Sequence, residues 1–432
     1  MGDGIDAKEP EPFSYDRDYV VLLSDWTDEN PTRVLAKLKK QSDYYNQHKR
    51  TVGDFIDDVS EMGWSAAVAD RKMWAEMKMS PTDLADVSGY TYLMNGQAPD
   101  GNWTGIFKPG EKIRLRFINA SAMTYFDVRI PGLKMTVVAA DGLHVKPVSV
   151  DEFRIAVAET YDVIIEPDSE QAYTVFAQSM DRTGYARGTL AVQEGLSAPV
   201  PSPDPRPLIA MGDMGMDHGS MGGMDHGNMA GMDHGSMAGM DHGSMQGGMA
   251  GMAGMAGAMQ AHPASETNNP LVDMQTMTPT HKLDDPGIGL RDNGRRVLTY
   301  SDLRSTFLDP DGREPSRTIE LHLTGHMEKF SWSFDGIKFS DAEPLRLKYG
   351  ERVRITLVND TMMTHPIHLH GMWSDLEDAN GNFLVRKHTI DMPPGSKRSY
   401  RVTADALGRW AYHCHLLLHM EMGMFREVRV DE

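Results

Sequence analysis

One stretch of this chain occurs twice. Lys108-Pro109-Gly110-Glu111-Lys112-Ile113-Arg114-Leu115-Arg116-Phe117-Ile118-Asn119 is matched by Lys348-Tyr349-Gly350-Glu351-Arg352-Val353-Arg354-Ile355-Thr356-Leu357-Val358-Asn359. In the first copy Ile113, Leu115 and Phe117 alternate with Lys112, Arg114 and Arg116. That is the period of a half-buried strand. Val20 to Trp26 also resembles Val297 to Leu303. An internal repeat of this kind implies two copies of one β domain. Further strands are expected at 125–130, 135–139, 153–157, 161–165 and 173–177. Short strands at this spacing, punctuated by Gly and Pro turns, suggest a sandwich or barrel. The expectation is an all-β chain with domains at 13–198 and 293–432, within the range that 432 residues allow.

Two segments interrupt that plan. Residues 31–90 carry helix-like spacing at Val34, Leu35 and Leu38, and again near Phe55 and Ile56. Asn30-Pro31 supplies a cap followed by Pro at the first turn, so a helical insertion is expected in the first domain. Residues 199–292 read as a linker. It opens with an extended run from Pro199 to Pro207. A repeat of period eight follows: Met216-Asp217-His218-Gly219, Met224-Asp225-His226-Gly227, Met232-Asp233-His234-Gly235 and Met240-Asp241-His242-Gly243. Met221, Met229, Met237 and Met245 close the four units. Gly and small residues fill the rest, a composition that cannot pack a core and is expected to be disordered. A linker needs only Gly and Ser. Recurring thioether, carboxylate and imidazole point instead to capture of Cu(I), which favours soft sulfur.

The chemistry concentrates near the other end. Cys414 is the one cysteine of the chain, which excludes an intrachain disulfide and leaves the thiol for metal. His413 and His415 flank it, His419 and Met424 follow, and His365-Pro366-Ile367-His368-Leu369-His370 precedes it. A blue-copper site needs two imidazoles, one thiolate and a weak axial thioether. His365, Cys414, His419 and Met424 supply that set. His368 with His370, and His413 with His415, form His-x-His pairs. Strand alternation aims both members of a pair at one place and turns Cys414 the other way.

This pattern resembles the multicopper oxidases, most of all the bacterial copper-resistance oxidases of the CopA type. The resemblance implies two cupredoxin-like Greek-key domains joined by the Met/His-rich linker. It implies that His365, Cys414, His419 and Met424 hold type 1 copper. His368 would go to type 2 copper, and His370, His413 and His415 to the type 3 pair. Electrons from Cu(I) or a phenol would enter at type 1 copper and leave through Cys414 to His413 and His415, and dioxygen would be reduced to water. These three residues are the candidate catalytic set. The first copy has Tyr125-Phe126-Asp127-Val128-Arg129-Ile130 where the second has its first histidine motif, so it resembles a ligand-free middle domain.

The resemblance also implies four further histidines, as two His-x-His pairs from an N-terminal cupredoxin domain. Before residue 213 the chain has only His48 and His144, unpaired. Residues 1–12 are polar, with Pro10 and Pro12, and read as a linker or the remnant of a missing first domain. The type 1 ligand set is therefore expected to be complete, and the type 2 and type 3 sets partial. Two alternatives to a complete oxidase stay open. One is a non-enzymatic protein that binds or sequesters copper. The other is a cluster completed by histidines of another chain.

The remaining signals set limits. A net charge of −19 disfavours nucleic acid and favours cations as partners. There is no run of about 20 apolar residues, so no membrane span is expected. The first residues lack a basic and an apolar region, so no export signal is visible, although the resemblance implies a periplasmic protein. Asp375, Glu377 and Asp378 read as an acidic surface loop. Met420 and Met422, and Trp373 and Trp410, read as packing around the site; His144 and His388 read as structural, and His322 and His326 as unpaired strand residues.

Overall fold

The computed structural model of the protein describes residues 12–216 and 259–432. The tract from Asp217 onward, expected to be disordered and to capture copper, lies outside the described residues, as does nearly all of the polar start. Among the described residues no helix is long and apolar enough to cross a membrane.

Two β-sandwiches repeat one topology. In the first, a six-stranded sheet runs in the order Thr91–Met94, Arg17–Trp26, Ile113–Asn119, Thr160–Ile165, Met135–Ala140, Leu143–Val150. It faces a five-stranded sheet ordered Trp103–Ile106, Tyr185–Ala191, Tyr173–Ser179, Phe126–Arg129, Glu152–Ile155. The second sandwich matches it strand for strand. Its six-stranded sheet is Ser331–Phe334, Arg317–His326, Arg352–Asn359, Lys397–Thr403, Ser374–Glu377, Phe383–Lys387. Its five-stranded sheet is Leu345–Lys348, Phe425–Asp431, Gly408–Cys414, His365–Leu369, Thr389–Met392.

The repeated stretch holds the same place in both copies. Ile113–Asn119 lies parallel to Arg17–Trp26, with Leu23 opposite Asn119. Arg352–Asn359 lies parallel to Arg317–His326, with Leu323 opposite Asn359. The strand equivalent to Val20–Trp26 is therefore Arg317–His326. Val297–Leu303, the resemblance read from sequence, instead runs along the first sandwich, where Leu298 N–H donates to Glu152 O. Ile113, Leu115 and Phe117 are buried as expected. Arg114 is buried too, because Phe13 and Tyr15 cover its guanidinium and Asp162 pairs with it.

The helical insertion comprises Pro31–Lys40, Val52–Met62 and Trp64–Met77. Asn30 caps the first helix by accepting from Thr32 N–H at 2.9 Å. Thr51 and Asp54 form a reciprocal capping box on the second. The segment that follows, Pro81 to Ser88, buries Asp83, Leu84, Asp86 and Val87.

The two sandwiches share a packed seam. Ile209, Met214, Met274 and Leu283, from the described flanks of the 199–292 segment, join the buried core. Those flanks thus carry core residues, contrary to the reading of the whole segment as an unpacked linker. Their apolar side chains are large enough to bury, whereas the Gly-rich composition that motivated the linker reading belongs to the tract between the flanks. Tyr125 Oη donates to Asp391 at 2.8 Å across the seam. Lys387, fully buried, ion-pairs with Asp141 at 3.0 Å and Glu159 at 3.1 Å.

Candidate metal centre

The His365–Leu369 strand lies antiparallel to Gly408–Cys414 in the second five-stranded sheet. Ile367 sits opposite Cys414, and His368 opposite His413. Pleating alternates side chains between faces. Cys414 therefore turns into the sandwich, while His413 and His415 turn to the face shared with His368 and His370.

On the inner face three donors converge. Cys414 Sγ lies 3.6 Å from His365 Nδ1 and 3.8 Å from His419 Nδ1. The two Nδ1 atoms are 3.1 Å apart. All three side chains are fully buried. An ion with bonds of about 2.0 Å to imidazole and about 2.3 Å to thiolate fits among donors at these separations. Burial pulls His365 well below the usual histidine range, helped by the neighbouring His419 charge, so its ring is a neutral donor. Burial pushes the Cys414 thiol up, so a thiolate there needs a cation beside it.

Each imidazole is held by its outer nitrogen. With Nδ1 facing the thiol, His365 Nε2–H donates to Thr361 Oγ1 at 2.7 Å. Thr361 Oγ1–H in turn donates to Asn359 Oδ1 at 2.8 Å. His419 Nε2–H donates to the buried carboxylate of Asp86 at 2.8 Å. Such partners fix the tautomer and orientation of a metal-ligating histidine. Trp332 stacks on His419 with ring centroids 4.0 Å apart, and meets His365 edge-on at 5.3 Å.

A short helix, Leu417–Glu421, presents His419. Its first free N–H groups are met by the other sandwich. Leu417 N–H donates to Ala122 O at 3.0 Å, and Leu418 N–H to Met123 Sδ at 3.5 Å. Met424 is buried, and its backbone ties the loop shut: Cys414 N–H donates to Met424 O, and Met424 N–H to His419 O. Gly423 between them has φ +121°, and a Cβ there would meet Trp332 O at 2.7 Å. Only glycine makes that approach.

On the outer face four imidazoles gather. His370 Nε2 lies 3.0 Å from His413 Nε2. Ring centroids separate His368 from His370 by 4.6 Å, His413 from His415 by 5.4 Å and His368 from His415 by 5.9 Å. His368 Nδ1–H donates to His388 O at 2.6 Å and His413 Nδ1–H to Cys414 O at 2.9 Å, so both Nε2 lone pairs stay available. His415 Nδ1 is buried and has no hydrogen-bond partner among the described residues. Burial pulls His368 down to about 3 and His413 down to about 4. Neutral imidazoles grouped on one face, with one ring nitrogen unpartnered, form a donor set that fits copper. This face opens on a cleft also lined by Asp25, Asp141 and His388.

The eight residues singled out from sequence fall in two places. His365, Cys414 and His419 meet, Met424 closes their loop, and His368, His370, His413 and His415 gather on the opposite face. Sequence reasoning missed Asp86, Thr361 and Trp332, which hold or stack on the histidines. Thr361 and Asn359, close upstream of His365, offered a local signal. Asp86 offered none, since it comes from the insertion of the other sandwich. Asp375 and Glu377 are not a surface loop. They are buried strand residues paired with Arg386 and with Arg354 and Arg401. Trp410 packs near the histidine loop, its indole N–H donating to Ala406 O.

Comparison with known proteins gives concordant results. Profiles of the multicopper oxidase family match residues 17–195 and 312–432. The chain is 76% identical over 433 residues to a copper resistance protein A homolog of Pseudomonas syringae pv. tomato, spanning 99% of this chain and 73% of that protein. It is 74% identical over 448 residues to copper resistance protein A of Escherichia coli, spanning 99% and 74%. Among solved structures it resembles Fet3p, a multicopper oxidase that functions in iron import. The TM-score is 0.58 at 15% identity, over 97% of this chain and 67% of that one. It also resembles the laccase of Botrytis aclada, with a TM-score of 0.55 at 15% identity over 98% and 65%. At such identities these two structures speak for the fold alone, a pair of cupredoxin-like sandwiches.

Proposed function

Since this chain belongs to the multicopper oxidases, with copper resistance protein A as its near relative, we propose that it takes electrons from Cu(I) or a phenolic reductant at Cys414 and delivers them to dioxygen at the histidine cleft, making water. The observation that carries this reading is the convergence of Cys414, His365 and His419 in a dry pocket, with His413 and His415 on either side of Cys414 in the chain. Copper bound at the two faces would supply one-electron exchange at the thiolate and multi-electron reduction of dioxygen at the imidazoles.

The protein's own groups prepare both places. His365, Cys414, His419 and Met424 would hold type 1 copper; His368 would serve type 2 copper, and His370, His413 and His415 the type 3 pair. Thr361 and Asp86 keep the two inner imidazoles aimed at the thiol. Trp332 and the buried walls exclude water from it. The Cys414 backbone joins both faces, and its carbonyl orients His413. The Met-Asp-His-Gly tract would collect Cu(I), and the copper-resistance relatives fit a periplasmic setting.

The test loads the purified chain with copper and follows blue absorption and oxygen uptake with a phenol. Blue colour lost in Cys414→Ser, with uptake lost in His413→Ala, supports the oxidase. Blue colour that persists in Cys414→Ser refutes the thiolate assignment. A second reading is favoured by one observation. Of the eight histidines that the family resemblance implies, the described residues bring four to this face, His368, His370, His413 and His415, with His388 beside them. Blue colour without uptake would make this chain a copper-binding protein. Uptake only by an oligomer would mean imidazoles lent by another chain.

A further inference from the structure

A second donor cluster lies apart from both faces of Cys414. His262, Glu266, His322 and Asp360 bring one ligand atom each to within 4.8 Å of one another. We propose that these four residues form a site for a borderline divalent cation of the zinc class, fastening the segment after the Met-rich tract to the second sandwich.

The separations suit a compact four-donor shell. Asp360 Oδ2 lies 2.6 Å from His322 Nδ1 and 3.2 Å from His262 Nδ1. Glu266 Oε2 lies 3.2 Å from His262 Nδ1, and Glu266 Oε1 3.7 Å from His322 Nδ1. Zinc bonds of 2.0–2.1 Å place tetrahedral donors about 3.3 Å apart, in the middle of this range. Both carboxylate side chains are fully shielded from solvent, and His322 is nearly so. Their ion-pair partners among the described residues are only these histidines and Glu320's contact to His322. Two carboxylates balance a charge of +2 once the incoming ion displaces the Nδ1 protons that hydrogen-bond to them.

Two independent features point to a ligand. Glu266 Oε1 is buried and has no hydrogen-bond partner, while its sister oxygen accepts from Gln275 at 2.9 Å. Leaving a carboxylate oxygen dry and unpartnered is costly unless something binds it. Both imidazoles also have their outer nitrogens engaged. His262 Nε2 faces Thr276 O at 3.0 Å, and His322 Nε2 faces Glu320 Oε1 at 3.4 Å. Each Nδ1–H donates inward to a carboxylate, so loss of that proton to an incoming ion would turn the Nδ1 lone pair onto it while Nε2–H keeps its outward contact. The histidines at Cys414 are arranged the same way, as metal-ligating imidazoles commonly are.

The placement gives the site a consequence. His262 and the Ala264–Glu266 turn follow the tract, whereas His322 lies in the Arg317–His326 strand. Asp360 adjoins Thr361, whose hydroxyl receives His365 Nε2–H. An ion here would staple the tract's exit to the loop that positions His365.

The test uses the full chain carrying one copper equivalent, with blue absorption certifying that copper occupies the Cys414 site. Equilibrium dialysis against Zn(II) is expected to find one tight equivalent, weakened at least about tenfold by Glu266→Gln or His262→Gln while the blue band is retained. Zinc affinity and stoichiometry unchanged by both substitutions would overturn the site. Where a variant does not fold, zinc-edge X-ray absorption of the unaltered protein with one zinc equivalent decides. A four-donor N/O shell with two imidazoles supports the proposal. A sulfur-containing shell, or zinc that dialyses away, rejects it. None of these readings depends on oxidase activity.

Discussion

Asp86 is the residue on which the two sandwiches meet the chemistry. Its carboxylate receives the outer N–H of His419, and both groups are buried. Asp83 beside it is pushed up by burial first and by the Asp86 charge second. Replacing Asp86 by Ala strands the imidazole N–H in a dry pocket, at a cost of about 1–3 kcal/mol. Loss of a partner of this kind also weakens a metal site by roughly ten- to a hundredfold. Asp86→Ala is therefore expected to lower the midpoint of denaturant unfolding and to release blue copper to a chelator at lower concentration. Asp86→Asn, which keeps an acceptor, should recover much of both. Equal copper retention by Asp86→Ala and the parent would refute the positioning role.

At the scale of elements, the end of the repeated strand shows how one scaffold serves with and without metal. Asn119 Nδ2 donates to Thr124 O at 2.8 Å and Ile155 O at 3.1 Å. Asn359 Nδ2 donates to Met363 O and to Met392 O, each at 2.8 Å. Both amides pin the loop that leaves the six-stranded sheet for the five-stranded one. In the second copy that loop delivers Thr361 and His365; in the first it delivers Tyr125 to the seam. Either Asn→Ala change removes two buried hydrogen bonds and should cost about 1–3 kcal/mol. Asn359→Ala should in addition shift or bleach the blue absorption, whereas Asn119→Ala should leave its wavelength alone. Identical spectra for the two variants would mean that the Asn359 loop does not hold His365.

For the whole molecule, the decisive feature is the buried polar seam. Lys387 stands between Asp141 and Glu159, and Tyr300 Oη reaches Glu159 from the connecting segment. Removing one member of a buried ionic group leaves uncompensated charge and typically costs 3–5 kcal/mol. Lys387→Met is expected to destabilise the chain by about that amount. It should also separate one unfolding transition into two, because the seam holds one sandwich to the other. Calorimetry checks this. A single transition at an unchanged temperature would show that the apolar seam residues suffice. The seam matters to the metal centre because Ala122, Met123 and Asp86 all reach the His419 helix from the other side.

The division between what could be read in the sequence and what could not follows contact range. Strand alternation and the His-x-His and His-Cys-His spacings are local, so they alone separate Cys414 from His413 and His415. The internal repeat implied two alike domains, because the same apolar alternation ends in the same asparagine. It misjudged the flank of the duplication, where Val297–Leu303 imitates the Val20–Trp26 strand by composition while Arg317–His326 makes the parallel pairing. Arg114, Asp375 and Glu377 looked solvated because their burial depends on aromatic rings and arginines distant in sequence. Asp86 and the cluster of His262, Glu266, His322 and Asp360 left no spacing to recognise. Their members come from separate loops and strands, and only the packing of the segment after the tract against the second sandwich brings them together. The donors with local periodicity were determined by the sequence itself. The groups that aim, shield and cross-link them were decided by the tertiary fold, since a contact between distant segments has no period to read.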